Sequence, residues 1–145
     1  MTLHTNCISE LIRPQPDRRV MEWMDATNEA LLYLSVLTLG EIRKGLAALP
    51  QGTRRTKLET WLEIDLRTRF HGRILLVDAA VADRFETKRK GKSLPVIDGL
   101  LASTALHHNL TVVSRNVSDF ANARVAVIRG KPSRFAIIST CDPLL

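Results

Sequence analysis

Three acidic residues of this chain sit in apolar surroundings where a charge has to be compensated. The stretch from Leu94 to Phe120 reads LPVIDGLLASTALHHNLTVVSRNVSDF, so Asp98 and Asp119 bracket a helix and a short extended run. Pro95 stands where a helix begins, and Leu100, Leu101, Ala105 and Leu106 recur at helical spacing up to His107-His108-Asn109. Asp98 therefore falls in the first helical turn. Leu110 to Ser114 reads as a buried strand, with Asp119 just beyond its end. Ligands in α/β sheets bind past the carboxyl ends of strands, so the two carboxylates can meet at one site. Glu41 is the third acid, in Leu37-Thr38-Leu39-Gly40-Glu41-Ile42-Arg43-Lys44-Gly45-Leu46 directly after a strand. Each helical glycine costs about 1 kcal/mol relative to alanine, so Gly40 and Gly45 suggest close approach of a backbone or ligand beside Glu41. Three hard oxygen ligands from three elements suit Mg²⁺ or Mn²⁺ better than a soft metal.

The elements that must position these acids alternate between short extended runs and helical ones, the pattern of an α/β fold with a mainly parallel sheet. Residues 2–4 read as a strand, followed by a helix over residues 7–11 and a loop at Pro14 and Pro16. Asp17 caps a helix to about Ala26. A strand over residues 31–35 leads into a helix ending near Pro50, and a second helix spans about Arg54 to Phe70. A strand is expected at residues 73–77, a helix capped by Asp78 and running to about Lys90, a turn at Gly91-Lys92-Ser93, and a final strand at residues 124–128. Trp23, Trp61 and Phe70 lie on apolar helix faces and read as core or subunit-interface aromatics.

With 145 residues and 45% hydrophobic content, one domain can bury a core without metal or disulfide staples. No apolar run approaches the roughly 20 residues needed to span a bilayer, and the start lacks the pattern of a secretory signal, so a cytoplasmic location is expected. Cys7 and Cys141 have no partners at metal-finger spacing and read as free thiols. The net charge of +6 favours polyanions; the basic clusters are Arg18-Arg19, Arg43-Lys44, Arg54-Arg55-Lys57 and Lys88-Arg89-Lys90 with Lys92. Any one cluster reads more readily as a solvated helix face.

The chain resembles the PIN-domain ribonucleases, and within them the VapC- and FitB-like toxins of bacterial toxin–antitoxin pairs. The resemblance runs through Thr5-Asn6-Cys7-Ile8-Ser9-Glu10-Leu11, residues 35–42, Pro95-Val96-Ile97-Asp98 and residues 114–120, as far as about Ile128. It implies a three-layer α/β/α fold for residues 1–128, with residues 129–145 as an atypical tail. It also implies an Mg²⁺- or Mn²⁺-dependent endoribonuclease acting on structured RNA such as transfer RNA. A homodimer neutralised by a cognate antitoxin belongs to the same expectation. Glu41, Asp98 and Asp119 match family metal-site acids, and Thr5, Asn6 and Asn116 match residues that brace the site. Arg43, Lys44 and Arg115 are the candidates to hold the RNA backbone.

Two positions depart from the pattern. His4 stands where the family has the first Asp, and an imidazole suits Mg²⁺ poorly, though Mn²⁺ or Zn²⁺ better. The alternative function is then a catalytically weakened binding protein that holds antitoxin or joins an operator complex. The second departure is the tail, which reads as an extra strand or a partner contact. Other readings stay open residue by residue: Asp98 serving the helix dipole, Glu41 solvated, Asp119 capping a turn, Asn6 capping the first helix, and His4 in the core. His107 and His108, near a helix C-terminus that favours cations, read as structural.

Overall fold

Alternation of side chains along the second strand sets up the two cores of the molecule. The computed structural model describes residues 3–4, 8, 12, 14–16, 18–85, 88–89, 92–93, 95–113 and 136–139. The expected helix at residues 7–11 is described only at Ile8, and the expected strand at 124–128 lies outside the described residues. In β2 (Leu32–Ser35), Leu32 and Leu34 face a core with Leu39, Ile42, Leu46, Leu62, Leu66 and Phe70. Tyr33, one residue out of phase, packs against the opposite core of Leu101, Ala105, Leu110 and Val112. The next strand, β3 (Ile74–Leu75), splits the same way, with Ile74 on the first core and Leu75 on the second. A sheet apolar on both faces requires helices on both, which gives the expected α/β/α layering.

The first core is supplied by α1 (Arg18–Ala26), α2 (Val36–Ala47) and α3. Helix α3 is one helical run in three parts: Thr53–Thr60, a π-helical stretch Trp61–Leu66, and Arg67–Arg69. Phe70 at its end is fully buried and Trp61 is half-buried against the same core, as their apolar helix faces predict. The Trp23 side chain lies outside the described residues. Arg73 ties the end of α3 to β2: its guanidinium donates to the carbonyls of Glu29, Leu32 and Arg69 and stacks 4.9 Å from the Phe70 ring centroid. Arg69 adds an ion pair with Glu29.

The second core is built by α5 (Val96–His107) and β6 (Thr111–Val113). Their junction is a Schellman closure. Asn109 adopts a left-handed φ of 54°, Leu110 N–H donates to the Ala105 carbonyl at 2.8 Å, and Asn109 N–H reaches Leu106 at 3.4 Å. The buried hydroxyls of α5 are satisfied within the helix: Thr104 donates to Leu100 at 2.8 Å and Ser103 to Gly99 at 2.8 Å. Ser103 Oγ also lies 3.1 Å from the Arg84 carbonyl, linking α5 to the segment before it.

That preceding segment corrects the sequence reading. Asp78 does cap a helix, its carboxylate accepting from Val81 N–H at 3.0 Å, but α4 covers only Ala79–Ala82. Instead of continuing to Lys90, the chain forms β4 (Lys88–Arg89), paired antiparallel with β5 (Lys92–Ser93). Phe85 is partly exposed after α4, so no apolar stripe holds a longer helix against the core. The short strand expected at 73–77 is likewise trimmed to Ile74–Leu75.

The main sheet is parallel throughout, and its middle strand is β7 (Ala136–Ser139). Ile138 lies opposite Leu34 of β2, Val113 of β6 and Leu3 of β1 (Leu3–His4). A strand has two hydrogen-bonding edges, so β1 and β6, which also meet each other, share the edge of β7 that β2 does not use. The tail thus contributes a strand to the sheet.

Candidate active site

Because every pairing in the main sheet is parallel, all its carboxyl ends lie along one rim. Ser35 opposite Leu75, and His4 opposite Ser139, mark that rim. Helix α2 starts there without a loop: buried Ser35 ends β2 and caps α2, its Oγ accepting from Leu37 N–H at 3.1 Å. Glu41 follows one turn into α2 and is half-buried. Helix α5 reaches β6 through a short Schellman turn, so it runs back against the strand direction and its first turn, bearing Asp98, returns to the same rim.

Asp98 is only 1% exposed. A carboxylate that merely served the helix dipole would act as well from the surface, whereas burial costs several kcal/mol unless partners compensate it. Its burial therefore argues for a role beyond dipole balance. Glu41 neighbours Gly40, which is exposed, and a Cβ added at Gly40 would meet nothing within 4 Å among the described residues. Among the described residues nothing fills the space beside Gly40, and none of their backbone makes the close approach that was one of the two expectations from the sequence. The donor set in view, one buried and one half-buried carboxylate at a strand-end rim, has the hard-oxygen chemistry that Mg²⁺ or Mn²⁺ takes. Among the described residues no group of three or more His, Cys, Asp and Glu gathers around one point. Asp119, Thr5, Asn6, Asn116 and Arg115 lie outside the described residues, as do both cysteines, and His4 is described in its backbone alone.

The proposed backbone-holding residues divide. Arg43 is paired with Glu63, which also lies 3.7 Å from Arg67, so its charge is partly neutralised within the helical layer. Lys44 is exposed in the last turn of α2. Two polar residues of this rim were not singled out in the sequence: Ser35 and Thr38 are both fully buried. Their signal was present, a hydroxyl directly before a helix start and a second inside the apolar run Leu37-Thr38-Leu39. At the far end of α5, His107 and His108 meet edge to face with ring centroids 4.8 Å apart. Burial and the neighbouring His107 pull His108 below its ordinary value of 6.5, against the smaller upward pull of Asp78.

Known proteins share this architecture. The PIN domain family model matches residues 1–126. The toxin FitB of Neisseria gonorrhoeae is 42% identical over 130 residues, 86% of this chain and 94% of that protein. The VapC ribonuclease Y4jK of Sinorhizobium fredii is 38% identical over 133 residues, 88% of this chain and 95% of its own. The structure of FitAB bound to the IR36 DNA fragment superposes with a TM-score of 0.81 at 39% identity, covering 88% of this chain and 92% of that one. With a family match over residues 1–126 and about 40% identity to these relatives along most of its length, the chain belongs to the PIN-domain family, as a homologue of the VapC and FitB toxins.

Proposed function

We propose that this protein is a metal-dependent endoribonuclease toxin that hydrolyses RNA phosphodiester bonds and is held in check by a cognate antitoxin. The observation that carries the proposal is the burial of Asp98 in the first turn of α5, at the rim to which α2 also delivers Glu41. That a relative is named a VapC ribonuclease supports the reaction class. A bound Mg²⁺ or Mn²⁺ ion supplies water activation and charge screening at the phosphoryl group. Asp98 would be its principal ligand, Glu41 would bind it or orient the attacking water, and Asp119 would complete the acid set. Thr5, Asn6 and Asn116 brace these carboxylates, while Lys44, Arg115 and the partly neutralised Arg43 hold the RNA backbone. The substrate is structured RNA, transfer RNA among the candidates, and the working form is a cytoplasmic homodimer.

One observation favours a second reading. His4 ends β1 level with Ser139 on the rim, at the position where the family pattern has its first Asp. An imidazole there removes an anionic oxygen, which suits a binding protein that captures antitoxin or joins a complex on operator DNA. A relative has been solved as FitAB bound to a DNA fragment, which supports that kind of assembly. Antitoxin-free protein incubated with total RNA and Mg²⁺ or Mn²⁺ separates the two readings. Cleavage that disappears with chelator and in Asp98→Ala is the expected result; cleavage only in His4→Asp establishes the binding protein, and none in any form refutes the nuclease.

A further inference from the structure

The most basic segment of the chain is not one of the helical faces. Four of the five residues from Lys88 to Lys92 are Lys or Arg, and Lys88, Arg89 and Lys92 lie in the paired strands β4 and β5 rather than in a helix. The register sets Arg89 opposite Lys92. Like charges directly across an antiparallel pair destabilise it, and an isolated two-stranded ribbon is already marginal, so this arrangement does not serve stability. On the helices, Arg18 pairs with Glu22, Arg43 with Glu63, Arg55 with Glu59 and Arg69 with Glu29, so these four arginines are partly neutralised where they stand. Between Glu86 and Asp98 the sequence contains no acidic residue at all.

Position adds the second argument. Only Ser93, Leu94 and Pro95 separate Lys92 from the start of α5, whose first turn holds the buried Asp98. Chain geometry alone limits the Lys92-to-Asp98 separation to about 17 Å. The ribbon is therefore tethered beside the rim acids. We propose that the β4–β5 ribbon is a phosphate-backbone grip for the RNA substrate, feeding the strand toward the rim that carries Asp98 and Glu41. The inference deepens the nuclease reading above and rests on it. A polyanion offsets the repulsion between Arg89 and Lys92, so the ribbon tightens when RNA is bound. The grip takes backbone rather than bases, so it is insensitive to sequence and strongly weakened by salt.

The test uses the full chain carrying Asp98→Ala, with chelator present, so that binding of a labelled structured RNA is measured without cleavage. Replacing Lys88, Arg89, Lys90 and Lys92 by Gln is expected to lower affinity at least about tenfold at low salt and to reduce the salt slope by about 0.7 to 0.9 per lost phosphate contact. The single change Arg89→Glu guards against misfolding, because it places an opposite charge across from Lys92 and steadies the ribbon while weakening RNA binding. Unchanged affinity and slope in both variants, with the parent still binding RNA, overturns the grip and leaves the nuclease reading intact. A parent that binds no RNA removes both. Lost binding to antitoxin, with RNA binding unchanged, reassigns the ribbon to a protein contact and equally overturns the proposal.

Discussion

Asp98 and His108 stand near opposite ends of one helix, and their surroundings give them opposite tasks. The burial of Asp98 makes it sensitive to anything that compensates its charge. Added Mg²⁺ or Mn²⁺ is expected to raise the melting temperature of the wild type, by an amount corresponding to about 2.7 kcal/mol at a hundredfold excess over Kd. Asp98→Asn is expected to abolish that rise; a metal-induced rise of equal size in the variant would show that the ion sits elsewhere. His108 carries a pH dependence of definite sign. Its folded value lies below 6.5, so the unfolded chain binds the proton more readily. The stability it contributes is complete above its unfolded value and is lost as pH falls through its folded value. Urea midpoints near pH about 7.5 and about 5.5 should therefore separate less in His108→Gln than in the wild type. An equal separation would assign the acid loss to other groups.

At the scale of elements, legibility followed the locality of the cause. Helix α5 was readable to within about a residue, and α2 at its start though not at its end, which lies at Ala47 rather than near Pro50; the legible boundaries are written in adjacent residues, Ser35 and Pro95 at the starts and His107-His108-Asn109 at one exit. Lys88–Arg89 was not readable as a strand, since its partner Lys92–Ser93 imposes the pairing while the charges themselves oppose it. The π-helical stretch in α3 left no local signal either. The placement of Asp98 and Glu41 in their helices was readable on the same terms, whereas the complete burial of Ser35 and Thr38 depends on packing that no local signal writes. The closure between α5 and β6 allows a quantitative check. Asn109 holds φ 54°, a conformation that costs most other residues about 1–2 kcal/mol. Asn109→Ala should lower unfolding free energy by about 1 kcal/mol, and Asn109→Gly should equal or exceed the wild type. A reversed order in urea titrations would contradict the Schellman assignment.

For the molecule as a whole, the tail is the feature that the similarity to known toxins did not anticipate. The family match ends at residue 126, yet Ala136–Ser139 runs through the middle of the sheet. Ile137 lies opposite both Tyr33 and Val112. Proline there removes a backbone donor from a strand flanked on both sides, so Ile137→Pro should cost several kcal/mol and broaden or abolish the thermal transition. A variant that melts like the wild type would mean that the tail can leave the sheet without harm. The sequence could suggest an extra strand in the tail but not its central place, because that place depends on partners scattered from Leu3 to Val113.

The same central strand has a consequence in time. A chain emerging from a ribosome delivers β1, β2 and β6 well before residue 136, and each must wait for its β7 neighbour in the finished sheet, while β3 needs only β2. The strands that border β7 would meanwhile present unsatisfied edges, the condition under which a nascent chain pairs wrongly or is captured by another protein. Completion of the sheet, and with it of the rim at its carboxyl ends, is thus deferred until translation has passed Ser139.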